Sequence, residues 1–277
     1  MHKAGVIGLG QIGGGVAICL ARAGVLTAVY DVRPDAAAKL EGVPAVAASP
    51  AEVTRACDVV LIAVVDAKQV RDVLTGTDGV LSQARPGLNV VLLATVSLKD
   101  LAGLRKLTDA AGVGLVDCGV TGGPAAARNG LVCLVGADDT LLEAVRPTLE
   151  AFALQVAHMG PPGAGMAAKI ARNVIVYTTW RAGYEGARLA SAAGVDVRKL
   201  AAAIDASATN VGGPTMWMSR ADPATDAGEH ALREATLGLL DKDLAAALDL
   251  AASLDIDLPM AVLAKKSART IMGIEGL

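Results

Sequence analysis

Gly8-Leu9-Gly10-Gln11-Ile12-Gly13 is the stretch that decides how the rest of this 277-residue chain is read. A short apolar run, Gly5-Val6-Ile7, comes just before it. A second run, Val25-Leu26-Thr27-Ala28-Val29-Tyr30, follows and ends in Asp31. A lone Gly-x-Gly-x-x-Gly is weak evidence, but strand, glycine turn, helix, strand and acid within about thirty residues make a dinucleotide-binding context. Gly8 permits the tight turn, Gly10 lets backbone approach a pyrophosphate, and Gly13 lets the helix lie close on the strand. Gln11 and Ile12 belong to the same loop, where a helix amino terminus offers N–H groups and partial positive charge to phosphates. Two plainer readings compete. Residues 4–21 are uncharged and follow Lys3, and Ala21-Arg22-Ala23 resembles a signal-peptide cleavage site. Six glycines between positions 5 and 15 would weaken such an apolar helix, which argues against export. An ordinary Gly-rich turn is the other alternative, and the surrounding strands and acid argue against it.

Composition narrows the class. The chain has room for one large domain or two ordinary ones. Hydrophobic residues make up 53 % and aromatic residues only 2 %, so the apolar character comes from small aliphatic side chains. Every apolar run of spanning length is interrupted by glycine or charge, and a soluble protein is expected. A net charge of −3, no basic block and few aromatics argue against nucleic acid as a partner. Cys19, Cys57, Cys118 and Cys133 show no metal spacing, so no metal site is expected. Each lies in an apolar stretch, as a buried free thiol would. A reducing cytoplasm is the simplest location.

The first 160 residues alternate apolar runs with helical patterns. Candidate strands are 3–8, 25–30, 43–47, 58–64, 88–94, 113–117, 131–135 and 153–158. Helices begin after Ser49, after Ser97 and near Asp138 or Asp139. Such alternation predicts a mostly parallel sheet with ligands at the carboxyl ends of its strands. After Gly160-Pro161-Pro162-Gly163 the pattern changes to helices alone: one to about Ala193, then about 196–206, 229–254 and 259–272. Residues 206–228, with Gly212-Gly213-Pro214 and Pro223, read as loop. The expected fold is α/β, a Rossmann-type doubly wound sheet over 1–161 followed by an all-α helical domain over 162–277.

Three places can carry chemistry. Lys169 and Asn173 share a face of the long helix, four residues apart in apolar surroundings. A desolvated lysine there would exchange protons near neutral pH, whereas a lysine snorkelling to solvent would not. Asp117-Cys118-Gly119-Val120-Thr121-Gly122-Gly123-Pro124 follows a predicted strand. Its hydroxyl and accessible N–H groups suit a carboxylate, although a plain strand-end turn reads the same way. Lys242-Asp243-Leu244 alone is a charge pair on an amphipathic helix.

In combination these pieces resemble the β-hydroxyacid dehydrogenase family, along essentially the whole chain and in order. Residues 8–24 (GLGQIGGGVAICLARAG) are similar to the cofactor signature and 117–130 (DCGVTGGPAAARNG) to the substrate loop. Residues 163–173 (GAGMAAKIARN) are similar to the catalytic-lysine motif, and 242–244 to the terminal Lys-Asp-Leu. The resemblance implies an oxidoreductase in which Lys169 is the general acid/base and Asn173 holds the substrate oxygen or orients the lysine. It implies that Thr121, Gly122 and Gly123 bind the substrate carboxylate, and that Thr95, ending the fifth candidate strand, lies near the nicotinamide. Lys242, toward the cofactor, and Asp243, toward the substrate, would close the pocket. The implied substrate is a small 3-hydroxy acid or its semialdehyde, and the implied assembly a homodimer or homotetramer.

There are departures. The usual Ser of the substrate loop is Thr121, a common Met-Leu-Pro is Val64-Val65-Asp66, and an aromatic seven residues before the terminal lysine is Ala235. Asp31 favours NAD by accepting from the ribose 2′-OH and repelling a 2′-phosphate, while Arg33 leaves NADP possible. Imine reduction on the same frame is disfavoured by Lys169. A non-catalytic dinucleotide sensor is disfavoured because it would not need the lysine, the Asn and the carboxylate loop together.

Overall fold

The apolar run ahead of the fingerprint becomes β1 (Ala4–Ile7), buried along its whole length, as a strand covered on both faces must be. The structure is a computed structural model that describes residues 3–192, 194–207, 226–253 and 259–274. After β1 come α1 (Gln11–Arg22), β2 (Leu26–Tyr30), α2 (Pro50–Ala56), β3 (Val59–Ile62) and α3 (Ala67–Thr75). Then follow β4 (Asn89–Leu92), α4 (Leu98–Ala110), β5 (Gly114–Thr121), β6 (Leu131–Gly136), α5 (Asp139–Glu150) and β7 (Ala153–Gly160). The helix starts are set by local chemistry. The Ser49 hydroxyl accepts from the Glu52 amide at 3.2 Å while the Glu52 carboxylate accepts from the Ala48 amide at 2.8 Å, with Pro50 in the first turn. Ser97 accepts from the Asp100 amide at 3.0 Å. Asp138 occupies the cap of α5 without a side-chain cap bond.

The sheet has seven strands in the order β2-β1-β3-β4-β5-β6-β7. All neighbours are parallel except β5 and β6, which run antiparallel. Burial on both faces explains why Val59-Val60-Leu61-Ile62 is continuously apolar rather than alternating. The chain steps from β1 outward to β2 and then back past β1 to β3, so a crevice opens at the carboxyl ends of β1 and β3. The strand expected at 43–47 does not form. Pro44 has no N–H to donate to a ladder, and only Val46 pairs, in an isolated bridge to Val29, with the Ala47 amide donating to the Val29 carbonyl at 2.8 Å. Thr95 therefore follows the fourth strand, not the fifth.

The core of this sheet unit includes Val16, Leu20, Val29, Leu61, Val91, Val116, Leu149 and Phe152. Side chains of that size each contribute about 1.5–3 kcal/mol when fully buried. All four cysteines are free and buried.

Beyond β7 the described elements are helices: α6 (Ala164–Ala192), α7 (Val197–Ser207), α8 (Ala227–Ser253), α9 (Pro259–Lys266) and α10 (Ala268–Ile271). The chain divides into two compact units, Met1–Lys169 and Ile170–Leu277. That division falls inside α6, past the expected 161/162, because the first turn and a half of α6 is bound to β5. In the second unit Val176, Tyr177, Trp180, Leu240, Leu244 and Ile271 form a core, with the Tyr177 and Trp180 rings edge-on at 5.1 Å. Most of the expected 206–228 loop (208–225) lies outside the described residues. Among the described residues no helix is long and apolar enough to cross a membrane.

Candidate functional site

The glycine turn is built at the carboxyl ends of β1 and β3. Gly8 has φ +90°, and its amide donates to the Tyr30 carbonyl at 2.8 Å. A Cβ at Gly8 would lie 2.7 Å from the carbonyl oxygen of Ala63, just past β3. At Gly13 a Cβ would run into the Gly8 carbonyl oxygen, so this glycine closes α1 onto its own turn more than onto the strand. Gly10, the cap of α1, behaves differently: a Cβ there would meet nothing within 4 Å. The turn is thus tight at Gly8 and Gly13 and open at Gly10, which fits a pyrophosphate approaching the backbone next to Gln11 and Ile12.

Asp31 ties this turn to β2. Its carboxylate accepts from the Leu9 amide at 2.7 Å and the Arg33 amide at 3.0 Å. Arg33 also clasps it from two sides, Nε to Oδ1 at 3.0 Å and Nη2 to Oδ2 at 3.3 Å. Burial works against the charge, but the Arg33 and Leu9 hydrogen bonds outweigh it and hold the carboxyl below the usual Asp range. The Asp31 side chain is 9 % exposed and that of Arg33 61 %. The charge expected to reject a 2′-phosphate is therefore already paired, by a largely exposed cation.

The carboxyl end of β5 carries the second constellation. Thr121 is its last residue, Gly122 has φ +94°, and Gly123–Arg128 forms a 3₁₀ turn. A Cβ on Gly123 would lie 3.4 Å from Ile12 Cδ1 and 3.8 Å from Gln11 Oε1. The fold thus places the expected carboxylate loop against the start of the dinucleotide helix. Thr95, half-buried beyond β4, follows the buried Leu93 and Ala94.

Lys169 is held in this same unit. Asp117 of β5 is fully buried, and its two oxygens accept from the amides of Gly163 at 2.7 Å and Met166 at 2.8 Å. It therefore serves as a distant cap for α6. Burial pushes the Asp117 carboxyl above its usual range, although the Gly163 and Met166 amides oppose that shift. Two positions further along β5, Gly119 presents bare backbone to the lysine. A Cβ there would strike the Lys169 Cβ and lie 2.8 Å from its Cγ. Lys169 is 9 % exposed, so its stem is packed against β5 and does not snorkel from a solvent-facing surface.

Asn173, one helical turn on from Lys169, is fixed at both ends of its amide. Nδ2 donates to Asp243 Oδ2 at 2.6 Å, and Oδ1 accepts from Arg172 Nη1 at 3.2 Å. The Tyr177 hydroxyl donates to the same Asp243 oxygen at 2.9 Å. The other Asp243 oxygen lies 3.4 Å from Lys242 Nζ. Burial, reinforced by the Asp243 charge, pushes the Tyr177 hydroxyl well above its ordinary pKa and keeps it a donor. Burial also lowers Arg172 below its ordinary value. Asp243, assigned to the substrate by resemblance, is here bonded to Asn173 and Tyr177.

From sequence Tyr177 has only a space-filling role beside Trp180, without its bond to Asp243, and the bonding role of Asp117 does not show. Tyr177 stands four residues after Asn173, a spacing that shares a face. Asp117 opened the quoted loop motif but read only as its first letter. Ala235 is exposed on α8, while Tyr177 and Trp180 lie in the helical core. Among the described residues no group of three or more His, Cys, Asp or Glu could hold a metal ion.

Comparison with known proteins divides the chain at the Gly160-Pro161-Pro162-Gly163 cluster. Residues 3–160 match the family model for the NAD binding domain of 6-phosphogluconate dehydrogenase. Residues 163–274 match that for the NAD-binding domain of NADP-dependent 3-hydroxyisobutyrate dehydrogenase. An uncharacterized oxidoreductase of Mycobacterium tuberculosis is 36 % identical, over 98 % of this chain and 94 % of its own. The L-threonate dehydrogenase of Escherichia coli is 31 % identical, over 93 % of this chain and 85 % of its own. Among solved structures, 3-hydroxyisobutyrate dehydrogenase from Salmonella typhimurium superposes with a TM-score of 0.83 at 28 % identity, covering 98 % of this chain and 94 % of the other.

Proposed function

Since the chain belongs to the β-hydroxyacid dehydrogenase family, we propose that it oxidises a small 3-hydroxy acid to the semialdehyde or keto acid, reversibly, with Lys169 moving the proton. It is an oxidoreductase that transfers a hydride between a nicotinamide dinucleotide and a small hydroxy acid. The observation that carries the assignment of Lys169 is its seat: the stem lies on Gly119 in a helix capped by Asp117, in the unit that also bears the glycine turn.

The dinucleotide would be held by Gly8, Gly10, Gln11, Ile12 and Gly13 at the phosphates, by Asp31 at the ribose, and by Thr95 and Lys242 toward the nicotinamide. The open backbone at Gly10 and the paired Asp31 carboxylate fit that group. When bound, the nicotinamide supplies the hydride acceptor or donor. Thr121, Gly122 and Gly123 would receive the substrate carboxylate, which orients the hydroxyl carbon. In the oxidising direction the neutral Lys169 amine takes the hydroxyl proton as the C–H hydride departs; in reduction the ammonium returns it to the carbonyl oxygen. Asn173, locked by Asp243 and Arg172, would hold the substrate oxygen or the lysine in place. Asp31 favours NAD. With Arg33 available to a 2′-phosphate, the discrimination is modest and NADP is also used. The helical unit mediates a homodimer or homotetramer, and the protein works in the cytoplasm.

The test is a screen of oxidation and reduction across small hydroxy acids and their aldehydes with both dinucleotides. Turnover of 3-hydroxy acids that is lost in Lys169→Ala supports the reading. Tight dinucleotide binding with no turnover of any member overturns it.

A further inference from the structure

The carboxylate loop does not stand alone; the far end of the dinucleotide helix grips it. Arg22, in the last turn of α1, uses Nη2 to donate to the Ala127 carbonyl at 2.8 Å and to Asn129 Oδ1 at 2.9 Å. Asn129 closes the 3₁₀ turn in a left-handed conformation, φ 55°, the one non-glycine with positive φ among the described residues. Its amide nitrogen donates to the Ala151 carbonyl at 2.7 Å. Cys19, one turn back on α1, donates to the Ala126 carbonyl at 3.2 Å. Between these bonds the surfaces touch directly, since a Cβ on Gly15 would lie 2.5 Å from that of Ala126. The loop is thus bonded to the last turn of α1 and packed on its middle, while Gly123 rests on Ile12 at its start.

We propose that Arg22 and Asn129 are positioning residues for substrate: they set the 121–130 loop on α1, so that the element holding the dinucleotide also fixes where the substrate carboxylate binds. Neither side chain lies in the glycine turn or among the groups assigned to the carboxylate. Their effect falls on the hydroxy acid rather than the dinucleotide. The inference rests on the reading that Thr121, Gly122 and Gly123 receive the carboxylate.

The experiment uses the full chain with NAD and whichever of 3-hydroxyisobutyrate, glycerate, L-threonate and L-serine gives the highest kcat/KM. Arg22→Met keeps the stem and removes the donors, Arg22→Lys restores a donor, and Asn129→Gly keeps the backbone conformation without the side-chain bonds. Losing two charge-assisted bonds to the loop should raise the hydroxy-acid KM about five- to tenfold in Arg22→Met. Asn129→Gly should rise in the same direction, and Arg22→Lys should fall between Arg22→Met and the parent. The NAD Kd, read by fluorescence titration, and kcat at saturation should stay within about twofold. Thr121→Val is measured alongside. If it raises KM while the Arg22 and Asn129 variants do not, the positioning role is wrong and the carboxylate loop stands. If it leaves KM unchanged, or none of the four acids turns over, the reading beneath the inference fails. A lowered Tm with a parallel loss of NAD affinity and no change in KM would reduce both residues to structural parts.

Discussion

At Lys169 the packing against Gly119 and the proton transfer we propose can be separated. Lys169→Ala removes the proton carrier but leaves the glycine turn untouched. Turnover should fall on the order of 10²–10⁴-fold while NAD affinity barely changes; near-normal kcat would remove the lysine from the mechanism. Gly119→Ala keeps the amine and takes away its seat, because the new methyl would clash with the Lys169 Cβ. That overpacking should cost about 1–3 kcal/mol of stability, read by denaturant melts, and should lower kcat. Two carboxylates of the sheet unit, the partly buried Asp31 and the buried Asp117, respond to acid with opposite signs. Asp31 has a lowered pKa, so its stabilisation is fully present above the unfolded value and is lost as pH falls through the folded one. Asp117 has a raised pKa, so the folded state binds the proton first and gains stability as pH falls through that raised value. Asp31→Asn should therefore flatten the loss of Tm below about pH 4, and Asp117→Asn should steepen it. A steeper loss of Tm in Asp31→Asn would contradict the first sign.

Helix α1 shows how three glycines of one motif do unequal work. Gly13→Ala places a methyl on the Gly8 carbonyl oxygen and should destabilise the fold by about 1–3 kcal/mol. Gly10→Ala meets nothing in the free protein, so it should cost only about the few tenths to one kcal/mol of a poorer cap, yet weaken the dinucleotide that approaches its open side. Equal losses of Tm in the two variants would mean that Gly10 is packing and not a phosphate seat. Elements of this kind were legible because their causes are local. Ser49 and Ser97 announce helices through hydrogen bonds spanning three residues, and a strand buried on both faces writes itself as Val59-Val60-Leu61-Ile62. Residues 43–47 misled because apolar content outweighed Pro44, whose missing N–H matters only once a ladder exists. The Asp117 cap and the Arg22 grip on Asn129 were hidden for a different reason. They join positions far apart in the chain, Asp117 to Gly163 and Met166 or Arg22 to Asn129, and periodicity carries no signal at that separation. The roles of Lys169, Asn173 and the 121–123 loop came from motif resemblance; spacing alone favoured a snorkelling lysine and a plain turn.

Both units expose large apolar side chains, the sheet unit at Val32, Val65, Leu154 and Met159. Among the described residues the helical unit leaves Ile175, Val195, Leu232, Leu239, Met260 and Val262 at 43–53 % exposure, although side chains of this size are stabilised by leaving water. Leu232 and Leu239 are seven residues apart on α8, two turns, and so share one face of that helix. Its charged neighbours are internally committed: Arg233 to Glu229 at 2.6 Å, and Lys265 of α9 to Asp241 at 3.0 Å. A face with apolar side chains exposed and its charges already paired suits burial against another copy better than solvent. Light scattering coupled to size exclusion should accordingly report a dimer or tetramer at micromolar concentration. Leu232→Glu with Leu239→Glu should shift it to a smaller species, because an unpaired carboxylate is costly to bury. NAD affinity should largely survive that shift, since all the groups assigned to the dinucleotide except Lys242 lie in the other compact unit. A parent protein that elutes as a monomer would leave the exposed leucines without a partner and overturn the assembly.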